Sequence, residues 1–283
     1  MLSRVENTLP PLGFAHFQAV IRDIVAEGKY QNLILSGAEV TVFDRLEEYV
    51  QFAASLGWFK KIQIQTNGRR LKDKNYADKL IRSGVNEFFV SIQGMRECHD
   101  ATTGVPGSFP EAVTGLRNAA EEGANVITNT VLTQRSLNDI IPLFEFLAKE
   151  SVSELQLWNF FPMEGTDTGD RIVPIESFRQ LLPDLAALAT EAGKPVVLKS
   201  FPQCLSPGPP LFFDSHFPAT VLPDQFWEQF RECGFGQCFY RKTKQCGSGH
   251  CWGFSTAYLN KYGDERMLLS PVDADTELSV EDE

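Results

Sequence analysis

No apolar run in the sequence approaches the roughly 20 residues needed to cross a bilayer. The first residues, Met1 to Asn7, carry neither a basic stretch nor an apolar one, so they do not read as a secretory signal. Positive charge is scarce: 26 Lys and Arg stand against 37 Asp and Glu, a net charge of -11. That deficit excludes a phosphate-backbone binder, which needs many cations to displace counterions. The expectation is a cytoplasmic protein without nucleic-acid or membrane partners. Cysteine is missing from the first 97 residues and then uneven. Cys98 stands alone, whereas Cys204, Cys233, Cys238, Cys246 and Cys251 crowd the last third. Six cysteines so distributed in a cytoplasmic chain do not read as a disulfide framework; they point to a metal or cluster site near the C-terminus.

What is present is a regular alternation. Phe14 to Glu27 has helical apolar spacing and stops at Gly28, and Leu33-Ile34-Leu35 reads as a buried strand running into Ser36-Gly37. Asp44 is placed to cap a helix reaching Leu56, and Ile62 to Gln65 is the next strand. Helix Lys74–Ser83, strand Glu87–Ile92, a helix capped by Ser108 and ended by Gly123, and strand Asn125–Leu132 continue the series. Helix Leu137–Lys149, strand Glu154–Phe160, helix Ile175–Ala192 and strand Pro195–Lys199 complete it. About six such units predict a parallel α/β sheet, a partial (β/α)6 TIM-like barrel, with ligands bound beyond the carboxyl ends of the strands. Past residue 200, prolines and then cysteines break the rhythm. The expected domains are 1–200, a Cys-rich 201–270 and an acidic, disordered 271–283.

Each strand-end loop is by itself an ordinary turn. In order they are Ser36-Gly37-Ala38-Glu39-Val40-Thr41, Gln65-Thr66-Asn67-Gly68, Ser91-Ile92-Gln93-Gly94 and Asn129-Thr130-Val131. Small residues admit a ligand to the backbone, and a lone carboxylate suits an ammonium group. Taken together these loops resemble those of the radical S-adenosylmethionine (radical SAM) superfamily. Residues 33–41 resemble its Gly-Gly-Glu-Pro-Thr loop, 64–68 and 89–94 resemble its next two strand ends, and His99 to Phe109 is similar to a segment of members with C-terminal cysteine domains. Ala38 and Val40 depart from that motif, and Thr41 keeps it.

The resemblance implies that Glu39, with the backbone of Gly37 and Ala38, binds the amino group of S-adenosylmethionine. It places Ser91 near the ribose or carboxylate, Asn129, Thr130 and Val131 near the adenine and Asn67 at the pocket floor, and it counts the retained Thr41 among the cofactor-binding residues. It also implies a Cys-x3-Cys-x2-Cys loop after a first strand, where three thiolates hold a [4Fe–4S] cluster. Both the loop and the strand are missing, so the chain as written cannot bind that cluster. The expectation is that they lie upstream of Met1, or else that the protein is a cluster-less relative built for binding.

Cys233-x4-Cys238-x7-Cys246-x4-Cys251, with Cys204 upstream, looks like a stretched auxiliary-cluster (SPASM-like) domain. An auxiliary [4Fe–4S] cluster and structural zinc both remain open there, and Cys204 and Cys233 compete for one position. The implied parent reaction is radical modification of a peptide or small molecule, with ferredoxin or flavodoxin as reductant. No residue is assigned to catalysis. No helical His pair supports a zinc-dependent barrel hydrolase.

Overall fold

The structure of the protein, a computed structural model, describes residues 12–162, 165–205, 210–216, 219, 228, 231, 234–243, 245–248 and 251–272. Contacts divide the chain into two units. One comprises Leu2–Thr130 and Pro142–Leu155; the other comprises Val131–Ile141 and Gln156–Glu283, with Met1.

The first unit runs α1 (Phe14–Glu27), β1 (Asn32–Leu35), α2 (Leu46–Ser55), β2 (Lys61–Thr66), α3 (Lys74–Ser83), β3 (Glu87–Ser91), α4 (Arg96–Thr103) and α5 (Ser108–Glu121). Strand β4 (Asn125–Leu132) and helix α6 (Ile140–Ala148) straddle the division. Strands β1 to β4 pair in parallel, each with the next in sequence, with Ile64 opposite Phe88 and Phe88 opposite Val126. Parallel pairing forces a helical crossover between strands, which is why the two periodicities alternate.

The two faces of these strands differ sharply. Ile62, Ile64, Phe88, Val90 and Val126 are at most 3% exposed, each worth about 1.5–3 kcal/mol in burial. Their in-register neighbours face the other way and are largely polar: Gln63 and Gln65, Glu87 and Ser91, Asn125 and Asn129. Glu87 is buried at 4% exposure and does not stand alone there. Gln63 Nε2 donates to it at 2.5 Å, Asn125 Nδ2 at 2.7 Å, and Lys61 Nζ lies 3.1 Å away. A buried carboxylate left without such partners would cost several kcal/mol.

Glycines set the ends. Gly28, at φ 69°, closes α1 by donating to the carbonyls of Ile24 and Val25. Gly68 and Gly115 instead permit a close approach: a Cβ on Gly115 would fall 2.0 Å from the Gly68 carbonyl oxygen. Two expected caps are corrected. Asp44 does not cap α2, whose N-cap is Arg45 without a side-chain hydrogen bond. Ser108 is the first residue of α5 and not its cap; Gly107 holds that position at φ 79°. The capping anion comes from α4 instead. Asp100 accepts from Gly107 N at 2.5 Å, Phe109 N at 2.9 Å and Ser108 Oγ at 2.9 Å. Those backbone donors hold its carboxyl below the usual carboxylate range.

The second unit continues with β5 (Glu154–Asn159), which starts in the first, then α7 (Ile175–Ala192), β6 (Val196–Lys199), β7 (Phe212–Asp214), α8 (Phe239–Lys242) and α9 (Thr256–Tyr262). Strand order is chain order, β1 through β7. Among the described residues the sheet therefore has seven strands, where the alternation predicts about six. Strand β7 pairs in parallel with β6, Lys199 opposite Asp214, and is only three residues long amid prolines. The boundary expected at residue 200 falls inside this unit. The acidic tail from 273 onward lies outside the described residues. Among the described residues no helix is long and apolar enough to cross a membrane.

Candidate functional site

In the first unit the carboxyl ends of β1 and β2 are joined by one carboxylate. Glu39 Oε1 accepts from Thr41 N at 3.1 Å, Thr41 Oγ1 at 2.6 Å and Thr66 Oγ1 at 2.7 Å; its Oε2 accepts from Asn67 N at 2.7 Å. Each carboxylate oxygen has about two lone pairs, so Oε1 is fully used and Oε2 retains acceptor capacity for one further donor such as an ammonium. The loop is finished from beneath: Tyr76 Oη donates to the Thr41 carbonyl at 2.9 Å, and Arg70 donates to the same oxygen. Burial raises the Tyr76 hydroxyl's pKa, keeping it a donor.

Beside that loop, Asn67 Oδ1 accepts from Arg69 N at 3.0 Å, and Gly68 N donates to Thr66 Oγ1 at 3.0 Å. Farther along the edge, Ser91 Oγ is 3.5 Å from Asn129 Oδ1, Ile92 N donates to the Asn129 carbonyl at 2.8 Å, and Thr130 Oγ1 donates to the Ile92 carbonyl at 2.7 Å.

The structure thus brings Glu39, Thr41 and Asn67 together, and separately Ser91, Asn129 and Thr130. Gly37 and Ala38 are exposed, and Val131 continues β4, half-buried. Thr66 is the participant that sequence reasoning missed; its only signal is a hydroxyl at the last position of a strand. A second missed residue is His99, 1% exposed, whose Nδ1 accepts from Gln93 N at 3.0 Å and so holds the loop after β3. Burial, then the Arg69 charge, lowers its pKa against the pull of Asp100, which keeps the ring neutral.

In the second unit Cys204, Cys238, Cys246 and Cys251 line one pocket with Gln203, Tyr240, Ser248, Gly253 and Phe254. An antiparallel bridge between Gln237 and Phe254 brings Cys238 beside Gly253. Cys251 Sγ accepts the Gly253 N–H at 3.3 Å. Burial, then the charges of Cys251, Cys238 and Cys246, pushes the Cys204 thiol up to about 12. Among the described residues no three His, Cys, Asp or Glu side chains form a group able to hold a metal ion. Cys233, the fifth expected ligand, lies outside the described residues, as does His250.

Residues 12–147 match the model of the radical SAM superfamily. Residues 12–147 thus carry a radical SAM superfamily domain. It is 29% identical over 164 residues to the Fe-coproporphyrin III synthase of Methanosarcina barkeri, covering 58% of this chain and 40% of that one. It is 26% identical over 158 residues to the AdoMet-dependent heme synthase of Oleidesulfovibrio alaskensis, covering 53% and 38%. Among solved structures it resembles SuiB of Streptococcus suis bound to S-adenosylmethionine, with a TM-score of 0.53, 17% identity, and coverage of 67% and 42%. SuiB has also been seen with its precursor peptide SuiA. At that identity the likeness shows the fold, which is the radical SAM α/β fold expected. The chain spans about 40% of the length of these relatives.

The radical-generating cluster of the superfamily does not fit the residues present here, because no cysteine precedes Cys98.

Proposed function

We propose that this chain binds S-adenosylmethionine at the carboxyl ends of β1 to β4 and carries an auxiliary metal site in its cysteine pocket, as part of a protein that modifies a peptide or small molecule. The observation that carries the first half is Glu39. Its carboxylate ties two strand ends together and still has an acceptor site open for the amino group of S-adenosylmethionine. Gly37 and Ala38 offer backbone beside it, Ser91 would sit near the ribose or carboxylate, and Asn129, Thr130 and Val131 near the adenine.

Cys204, Cys238, Cys246 and Cys251 would hold the metal, with Cys233 as competitor for the Cys204 position. A [4Fe–4S] cluster, several atoms across, suits thiols spread around a pocket better than one zinc ion binding four sulfurs at about 2.3 Å. When bound it supplies an electron-transfer centre; the Gly253 N–H on Cys251 Sγ stabilises the thiolate that such a centre requires. Zinc remains the alternative.

Radical chemistry needs three further thiolates that this sequence does not contain, and a reductant such as ferredoxin or flavodoxin. The alternative reading is a cluster-less binding protein. Titration calorimetry with S-adenosylmethionine and its E39A variant tests the proposal. Binding by the parent and at least about tenfold weaker binding by the variant is expected; equal affinity of the two, or no binding, overturns it. Iron, sulfide and zinc content after anaerobic reconstitution separates cluster from zinc. Release of 5′-deoxyadenosine from the reduced chain is not expected.

A further inference from the structure

The cysteine pocket and the segment that follows β5 are tied together by one short helix. On the pocket side, Phe254 lines the same cavity as the four cysteines and lies 4.8 Å, ring to ring, from Tyr258 of α9. Four residues after Cys251, Ser255 caps α9: its Oγ accepts from Tyr258 N at 3.2 Å. Thr256 N donates to the Gly234 carbonyl at 3.2 Å, fixing the helix to the segment that leads through Gln237 to Cys238.

On its other side α9 grips residues 165–175. Lys261 Nζ lies 2.7 Å from Asp167 Oδ2 and 2.5 Å from Asp170 Oδ1. Asp167 turns the segment by accepting from Arg171 N at 2.9 Å and Ile172 N at 2.8 Å. Burial opposes its charge, yet Lys261 and these backbone donors hold the carboxyl below the usual range. Tyr262 Oη donates to the Ile172 carbonyl at 2.8 Å. Tyr258 Oη accepts from Ile175 N, the first residue of α7, at 2.8 Å and donates to Glu265.

A seven-residue helix is far too short to be stable in isolation. Its order comes from what it is attached to. We propose that occupancy of the cysteine pocket is transmitted through α9 to residues 165–175. A metal group that draws the cysteines together fixes Phe254 and the Ser255 cap. The cap fixes α9, and Tyr258, Lys261 and Tyr262 then hold the segment beyond the carboxyl end of β5, the end at which such folds bind ligands. Without the metal the helix loses its anchor and the segment opens. This rests on the proposed metal reading of the pocket.

Hydrogen exchange followed by mass spectrometry tests it, on the reconstituted chain and on the same protein stripped by a chelator, with metal content measured for each. Stripping is expected to speed exchange at least about tenfold both in 251–262 and in 165–175. K261M should speed exchange in 165–175 by a smaller factor while metal content stays unchanged, and Y262F should do the same more weakly. A chain that takes up no metal overturns the metal reading and this inference with it. A chain that binds metal but shows unchanged exchange in 165–175 on stripping overturns the coupling alone.

Discussion

The two candidate sites of this molecule are completed in opposite ways. At the carboxyl ends of β1 and β2, protein groups satisfy one another. Glu39 takes four hydrogen bonds from three neighbours, and the Thr41 carbonyl is held by Tyr76 and Arg70. In the cysteine pocket burial, and after it the neighbouring thiols, raises the pKa of Cys204 and Cys251, and the four thiols line one pocket without forming a disulfide. A site of the first kind is rigid before its ligand arrives, whereas one of the second kind needs its ligand to be rigid. That is how a motif-like loop sequence and a loosely spaced cysteine sequence can both point to candidate sites.

The sharpest way to break the contrast is to remove cysteines. C238S with C246S should abolish metal uptake and open residues 234–262 to limited proteolysis, while C98S should leave both unchanged. Preserved metal in the double variant would show that the pocket is not the site. Next in size is G115A, whose new methyl would meet the Gly68 carbonyl. It should cost about 3 kcal/mol or more in urea denaturation, whereas G13A, with nothing within 4 Å, should be near neutral.

E39Q keeps the shape of the strand-end loop but turns one acceptor into a donor facing donors. A loss of about 2 kcal/mol is expected by the same measurement. Stability equal to that of the parent would mean that the loop does not depend on its carboxylate. The smallest effect is one of pH. His99 has a lowered pKa, so the folded state binds fewer protons than the unfolded one as pH drops below about 6.5. The melting temperature should therefore fall between pH 7.5 and 5.5, and the fall should be shallower in H99Q.

Strands β1 to β6 were legible because apolar runs and glycine stops recur, and those signals need no tertiary context. Strand β7 was not, since three residues between prolines leave no period to detect. The Glu39 loop was found by its resemblance to a family motif, but Thr66 has no signature beyond its strand-end position. The Asp100 cap escaped because a cap supplied by a neighbouring helix cannot be seen from the residues it caps. Four of the five expected metal ligands converge on one pocket, and the spacing that made their assignment open is bridged by the Gln237–Phe254 pairing.

The neighbour-to-neighbour order of the sheet bears on how the chain is made. Among the described strands, each of β2 to β7 pairs with the one synthesised just before it. As the polypeptide leaves the ribosome, each new βα unit can add to a ledge that already exists, so the sheet can grow from one side at the pace of translation.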